Sequence, residues 1–190
     1  MKLPNILTPK PFEKAARKIY ISLVEQARQP GFYLFCGVPD TPDGRFDMIM
    51  LHAFLVLRRL KRDHDRTADL GQAVFDLMFA DMDQNLREMG IGDIGVGLRI
   101  KAMASAFYGR ISVYDEGLDG AQGKLSEALR RNLFRKTEPD STQVSTIADY
   151  MGREAKRLDK LNVEDLIDGK VVFGPAPDVN EPETEEGNNG

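Results

Sequence analysis

Residues 46–57, FDMIMLHAFLVL, constrain the fold more than any other stretch. Coiled into a helix they place apolar side chains on every face, and a helix that is apolar all round has to be buried on all sides. A membrane span needs about 20 consecutive apolar residues. Here the unbroken run from Met48 to Leu57 is ten residues long and contains His52. The segment therefore reads as the central helix of a compact domain, with other helices packed around it.

Two further patterns supply those neighbours. Thr67 reads as an N-cap, and beyond it Leu70, Val74, Leu77 and Met78 form one stripe beside a second of Phe75, Phe79, Met82, Leu86 and Met89. Spacings of three and four residues specify a helix. A glycine-rich break spans residues 90–97. Then Val96, Ile100, Met103, Phe107, Ile111, Tyr114 and Leu118 repeat the spacing, with Ala102, Ala104, Ser105, Ala106 and Gly109 between them. Three helices with wide apolar faces can satisfy one another, so they are expected to form the core.

On either side the chain stays helical. Residues 12–29 carry Ile19, Tyr20, Leu23, Val24 and Ala27 on one face and end before Pro30-Gly31, a pair that stops a helix. Residues 32–45, aromatic first and rich in turn formers afterwards, read as a loop. Leu125, Leu129 and Leu133 mark another helix, and Val144, Ile147, Met151, Ala155 and Leu158 one more. Asn162 opens a short turn closed by Gly169, and Val171-Val172-Phe173 reads as an extended strip over the body. The expectation is an all-α fold, a single compact domain of about six to seven helices over residues 1–174. Residues 175–190, acidic and rich in proline, glycine and asparagine, are expected to be disordered.

Charge and chemistry narrow the function classes. The net charge of -4 becomes +1 when the five acids of the tail are set aside, which gives no case for a DNA-binding body. Cys36 is the single cysteine, excluding a disulfide framework and multi-cysteine zinc sites. Residues 1–7 lack the apolar core of a secretory signal, so the expected location is the cytoplasm. Gly90-Ile91-Gly92-Asp93-Ile94-Gly95 matches the dinucleotide fingerprint G-x-G-x-x-G. That motif must follow a buried strand, whereas a helical pattern precedes it here, so an interhelix turn is expected and no cofactor. His52 reads as a hydrogen-bonded core residue and His64 as solvated. No di-iron pattern, nucleophile elbow or phosphate loop occurs. Six of the eight methionines lie in the central stretch, as core packing or as an adaptable binding surface. The rival classes are an enzyme with a pocket at the glycine-rich segment and a membrane-surface module with a basic helix.

Gly37-Val38-Pro39-Asp40-Thr41-Pro42-Asp43-Gly44-Arg45-Phe46, Leu51-His52 and Phe79-Ala80-Asp81-Met82-Asp83-Gln84-Asn85-Leu86-Arg87-Glu88-Met89-Gly90 together resemble the ubiquinol-cytochrome c chaperone family. The resemblance implies a non-enzymatic, all-helical assembly factor of the cytochrome bc complex, here a bacterial member. It implies as partner newly made cytochrome b at the membrane, and in mitochondria a place at the ribosomal exit beside a small partner protein. It implies no catalytic residues and no metal. The client-binding candidates chosen on physical grounds are Tyr33, Asp40, Thr41, Arg45, Phe46 and His52, with the face of Asp81, Asp83 and Arg87. Loops held by a rigid scaffold often carry function, and the two segments flank the same buried helix.

Overall fold

The computed structural model describes residues 12–120 and 123–178. Among these residues the chain is all-α, in eight helices: α1 Glu13–Ala27, α2 Pro30–Leu34, α3 Pro42–Lys61, α4 His64–Glu88, α5 Asp93–Leu118, α6 Lys124–Asn132, α7 Ser141–Asp159 and α8 Val163–Ile167. The count exceeds the expected six or seven by one because α2 is a separate five-residue helix, whereas α8 is the short turn expected after Asn162. Pro30, placed at the start of α2, fits a first turn whose N–H groups have no partner in any case, so it opens a helix in a segment that reads as a loop.

The central helix is α3. Thr41 caps it, its Oγ1 accepting from the Gly44 amide at 3.2 Å, with Pro42 in the first turn. Residues 46–56 are buried without exception, and α1, α4, α5 and α7 pack around them. Each fully buried leucine, isoleucine or phenylalanine contributes about 1.5–3 kcal/mol. Met48, Met50, Met78 and Met82 belong to this core; Met89 is half exposed.

A two-residue turn after α3 returns the chain as α4, so the end of α4 lies beside the start of α3. The helix begins three residues before the expected cap. Thr67 lies inside its first turn, and its buried hydroxyl donates to the carbonyls of Leu60 at 2.6 Å and Asp63 at 2.9 Å, which locks the α3–α4 corner. The glycine-rich break is likewise shorter than its composition suggests. Only Gly90 takes a positive φ, of 82°, whereas α5 starts at Asp93 and runs through Gly95 and Gly97.

The expected three-helix core needs a correction at α5. Val96, Phe107 and Tyr114 are buried, while Ile100, Met103 and Ile111 are half-buried and Ile94 and Leu98 are exposed. One side of α5 packs against α4 and α6, and at its edge Tyr108 meets Phe75 of α4 with ring centroids 5.7 Å apart; on the opposite side Ile94, Leu98 and Lys101 are exposed.

Beyond α8 an extended strip closes over α1 and α7. The Ser22 hydroxyl donates to the Val171 carbonyl at 2.7 Å, and the Gly174 amide donates at 2.8 Å to Glu154, a fully buried carboxylate flanked by Arg153 and Arg157. The strip continues past the expected boundary at residue 174. Arg153 Nη2 donates to the Pro175 carbonyl at 2.8 Å, and Pro177 is buried against Gly31. Residues 179–190, which hold the rest of the expected tail, lie outside the described residues.

Candidate functional site

The antiparallel return of α4 and the connector between α6 and α7 leave an open cleft of about 460 Å³ beside the N-terminus of α3. Pro39, Thr41, Asp43, Met89, Leu133 and Lys136 line it. Asp47 forms part of its wall although the residue is only 4% exposed. Its carboxylate accepts from Arg110 Nη1 at 2.7 Å and pairs with Arg135 Nη2 at 3.1 Å. Burial still raises the Asp47 pKa above the ordinary carboxylate range, against the pull of Arg110 and Arg135. Arg110 is equally buried, bonds the Asn132 carbonyl through Nη2 at 3.4 Å, and has no partner for Nε among the described residues. At the rim Lys136 binds Asp43 and holds that carboxyl below its usual range.

The residues expected to bind a client divide in two. Asp40 and Arg45 are exposed and pair with each other at 2.6 Å. Arg45 therefore does not need Asp81 or Asp83 as a partner. Tyr33 stands close enough to feel both charges, while its hydroxyl donates to the Ala27 carbonyl at 2.7 Å and burial pushes its pKa to about 12. Thr41 is occupied as the α3 cap. Asp81 accepts from the Tyr20 hydroxyl at 2.7 Å, tying α4 to α1, and burial raises the Tyr20 pKa. Asp83 and Arg87 form an i,i+4 pair at 2.5 Å, and Arg87 also binds Asp93 across the α4–α5 corner.

Two of the candidates are not accessible. His52 is fully buried: its ring nitrogens meet the Met48 carbonyl and the Tyr150 hydroxyl, each at 2.8 Å, with Phe32 and Phe173 packed on the ring. Burial lowers its pKa to about 4. Phe46 is 9% exposed, turned into the core. An apolar helix buried on all sides leaves no face for a client, and both residues lie on it.

Asp47 and Arg110 are not among the site residues expected from the sequence, and Met89 is expected there either in core packing or on an adaptable binding surface. A signal was present. Asp47 interrupts the apolar α3 pattern, and Arg110 sits between Phe107 and Tyr114 on the buried side of α5; charges in such places are seldom buried unless paired.

The model of the family described as ubiquinol-cytochrome C chaperone matches residues 35–173, which hold the cleft, the buried ion pair and the strip as far as Phe173. The chain belongs to this family. The mouse ubiquinol-cytochrome c reductase complex assembly factor 1 is 30% identical over 167 residues, which are 87% of this chain and 57% of the mouse protein. The Xenopus laevis protein of the same description is 30% identical over 85% of this chain and 81% of its own length. The chain is also similar to the mitochondrial protein CBP3 of Saccharomyces cerevisiae, 25% identical over 76% of this chain and 44% of the yeast protein. The chain thus spans little more than half of the mouse protein and less than half of the yeast one. The crystal structure of the Cbp3 homolog from Brucella abortus shares the family fold with a TM-score of 0.79 and 36% identity, covering 88% of this chain and 92% of that one. Among the described residues no helix is long and apolar enough to cross a membrane, and no group of three histidine, cysteine or acidic side chains could hold a metal ion.

Proposed function

We propose that this chain is an assembly chaperone of the ubiquinol-cytochrome c reductase complex that captures newly synthesised cytochrome b and carries out no chemistry of its own. The observation that carries this reading is the likeness to assembly factors of that complex over almost the whole chain, in frog over four-fifths of the relative as well. The geometry supports it with an open cleft where Pro39, Met89 and Leu133 offer apolar contact and charged side chains stand at the rim. In this reading Thr41 lines the cleft at the start of α3, and the neighbouring Asp40–Arg45 pair, with Tyr33 close to it, extends the recognition surface. Asp83 and Arg87 lie in the last turns of α4, which leads into Met89 at the cleft, and Asp81 ties that helix to α1 through Tyr20. The chaperone works at the inner face of the cytoplasmic membrane, with the ribosome as a further partner during synthesis.

A deletion strain tests this. Loss of assembled complex with unchanged transcripts, restored by the wild-type chain, is the expected result; normal complex levels would overturn the reading. Capture of cytochrome b by the tagged chain, as against another subunit of the complex, tests the client.

A further inference from the structure

We infer that the outer face of α5 docks on an anionic lipid surface. Opposite buried Val96, Phe107 and Tyr114 stand Ile94, Leu98, Lys101 and Ser105, at spacings of four, three and four; Tyr108 lies at the edge of this face, its ring 5.7 Å from that of Phe75 on α4. Ile94 is 83% exposed, Leu98 66% and Tyr108 62%. A helix that is apolar on both sides but covered on one leaves a face that water does not favour.

Charge selects the occupant. From Ile94 to Tyr114 the helix carries Arg99, Lys101 and Arg110 and no aspartate or glutamate. Arg110 is consumed by Asp47 and Arg99 acts on Asp43 at the cleft, whereas Lys101, on the outer face, forms no ion pair among the described residues. The acids at the two ends are matched: Asp93 by Arg87, Asp115 by Arg58 and Glu116 by Lys124. An acid-free face with an unpaired lysine complements anionic headgroups.

Shape agrees. Ile94 and Leu98 do not line the cleft beside α3; they stand exposed on the outer side of α5, where Gly97, Ala102, Ser105 and Gly109 keep the surface around them low, and Tyr108 borders them at the α4 edge. A partner helix seats in a groove. Prongs on a convex ridge enter the boundary between headgroups and acyl chains instead, with the tyrosine ring at the polar level and the lysine stem reaching up to the phosphates. Met89, half exposed at the α4–α5 corner, joins this face to the cleft, so the dock would present the cleft beside the bilayer. The inference deepens the chaperone reading, since a membrane-protein client is met at the bilayer, but its test needs no client.

The test is flotation of the purified full chain with phosphatidylcholine vesicles, with and without phosphatidylglycerol. The chain is expected to float with the anionic vesicles. Lys101→Gln should weaken binding about fivefold, the factor for one cation near an anionic surface. Leu98→Asp should weaken it more than about tenfold, as for withdrawing one leucine from an apolar phase. Both side chains are exposed, so unchanged thermal midpoints will show that the variants are folded. The proposal is overturned if the wild-type chain stays with the buffer or if Leu98→Asp floats as well as wild type. It is equally overturned if the face proves to be an interface between two copies, dissociated by Leu98→Asp without lipid. Leu98→Asp that loses cytochrome b capture in detergent while still floating would assign the face to a protein client and overturn it too. Failure to float in a chain whose deletion still depletes the complex would refute the dock and leave the chaperone reading standing.

Discussion

Arg110 and Asp47 meet at 2.7 Å, each with only 4% of its side chain exposed, and join the middle of α5 to the first turns of α3 beside the cleft. Removing one partner of a buried pair strands a charge, at a cost of about 3–5 kcal/mol, whereas replacing both with apolar groups of similar volume is often neutral. Asp47→Ala is therefore expected to lower urea stability by about that amount. Asp47→Leu combined with Arg110→Met should recover most of it. A double variant as unstable as Asp47→Ala would show that Arg135, which also reaches Asp47, makes the dominant interaction.

His52 links folding to pH. Its pKa falls from 6.5 to about 4 in the fold because the ring is fully buried and its bond to the Met48 carbonyl only partly offsets the loss of water. Between those values the unfolded chain binds more protons than the folded one, so stability drops as pH falls, by about 3 kcal/mol over the whole interval. Urea midpoints at about pH 7 and about pH 4.5 should differ accordingly. In His52→Gln this component of the slope should vanish; an unchanged slope would assign it to other groups.

Gly31 measures the docking of the C-terminal strip. An added Cβ there would lie 2.1 Å from the Pro177 carbonyl oxygen. In an unobstructed helix Gly→Ala gains about 0.5–1 kcal/mol; against this backbone contact it should instead cost about 1–3 kcal/mol. Gly31→Ala is expected to lower the thermal midpoint and to speed proteolysis near residue 175. A higher midpoint would mean that the strip does not hold this position.

The core was legible in the sequence because α3 is apolar around its whole circumference and only burial satisfies such a helix. The limits of the reading have physical causes. Spacing at Val96, Phe107 and Tyr114 identifies one buried side of α5, but nothing in the spacing says whether the opposite side finds a neighbour. Thr67 has the chemistry of a cap, yet its hydroxyl satisfies the carbonyls of the preceding corner. Pro175 and Pro177 read as disordered by composition, whereas packing on Gly31 and the Arg153 bond hold them, contacts made through backbone groups that composition does not reveal. At the cleft the loop that includes Asp40 and Arg45 was legible from its turn chemistry. Its neighbours Lys136 and Arg135 come from about 90 residues later, and only the fold brings them together.

Arg45 and Asp81 separate recognition from stability. The Asp40–Arg45 pair is open to solvent, where such pairs are screened and hold their side chains at an entropic cost, so Arg45→Ala should leave the thermal midpoint unchanged. Asp81→Ala removes the acceptor of the partly buried Tyr20 hydroxyl and should cost about 1 kcal/mol. If the cleft rim recognises cytochrome b, Arg45→Ala loses capture while fully folded, and Met89→Asp, which places a charge in the cleft wall, loses it too. Asp81→Ala should lose capture only to the extent that it loosens α4 against α1, with part of the loss restored at lower temperature. Full capture by both Arg45→Ala and Met89→Asp would move the client surface away from this cleft.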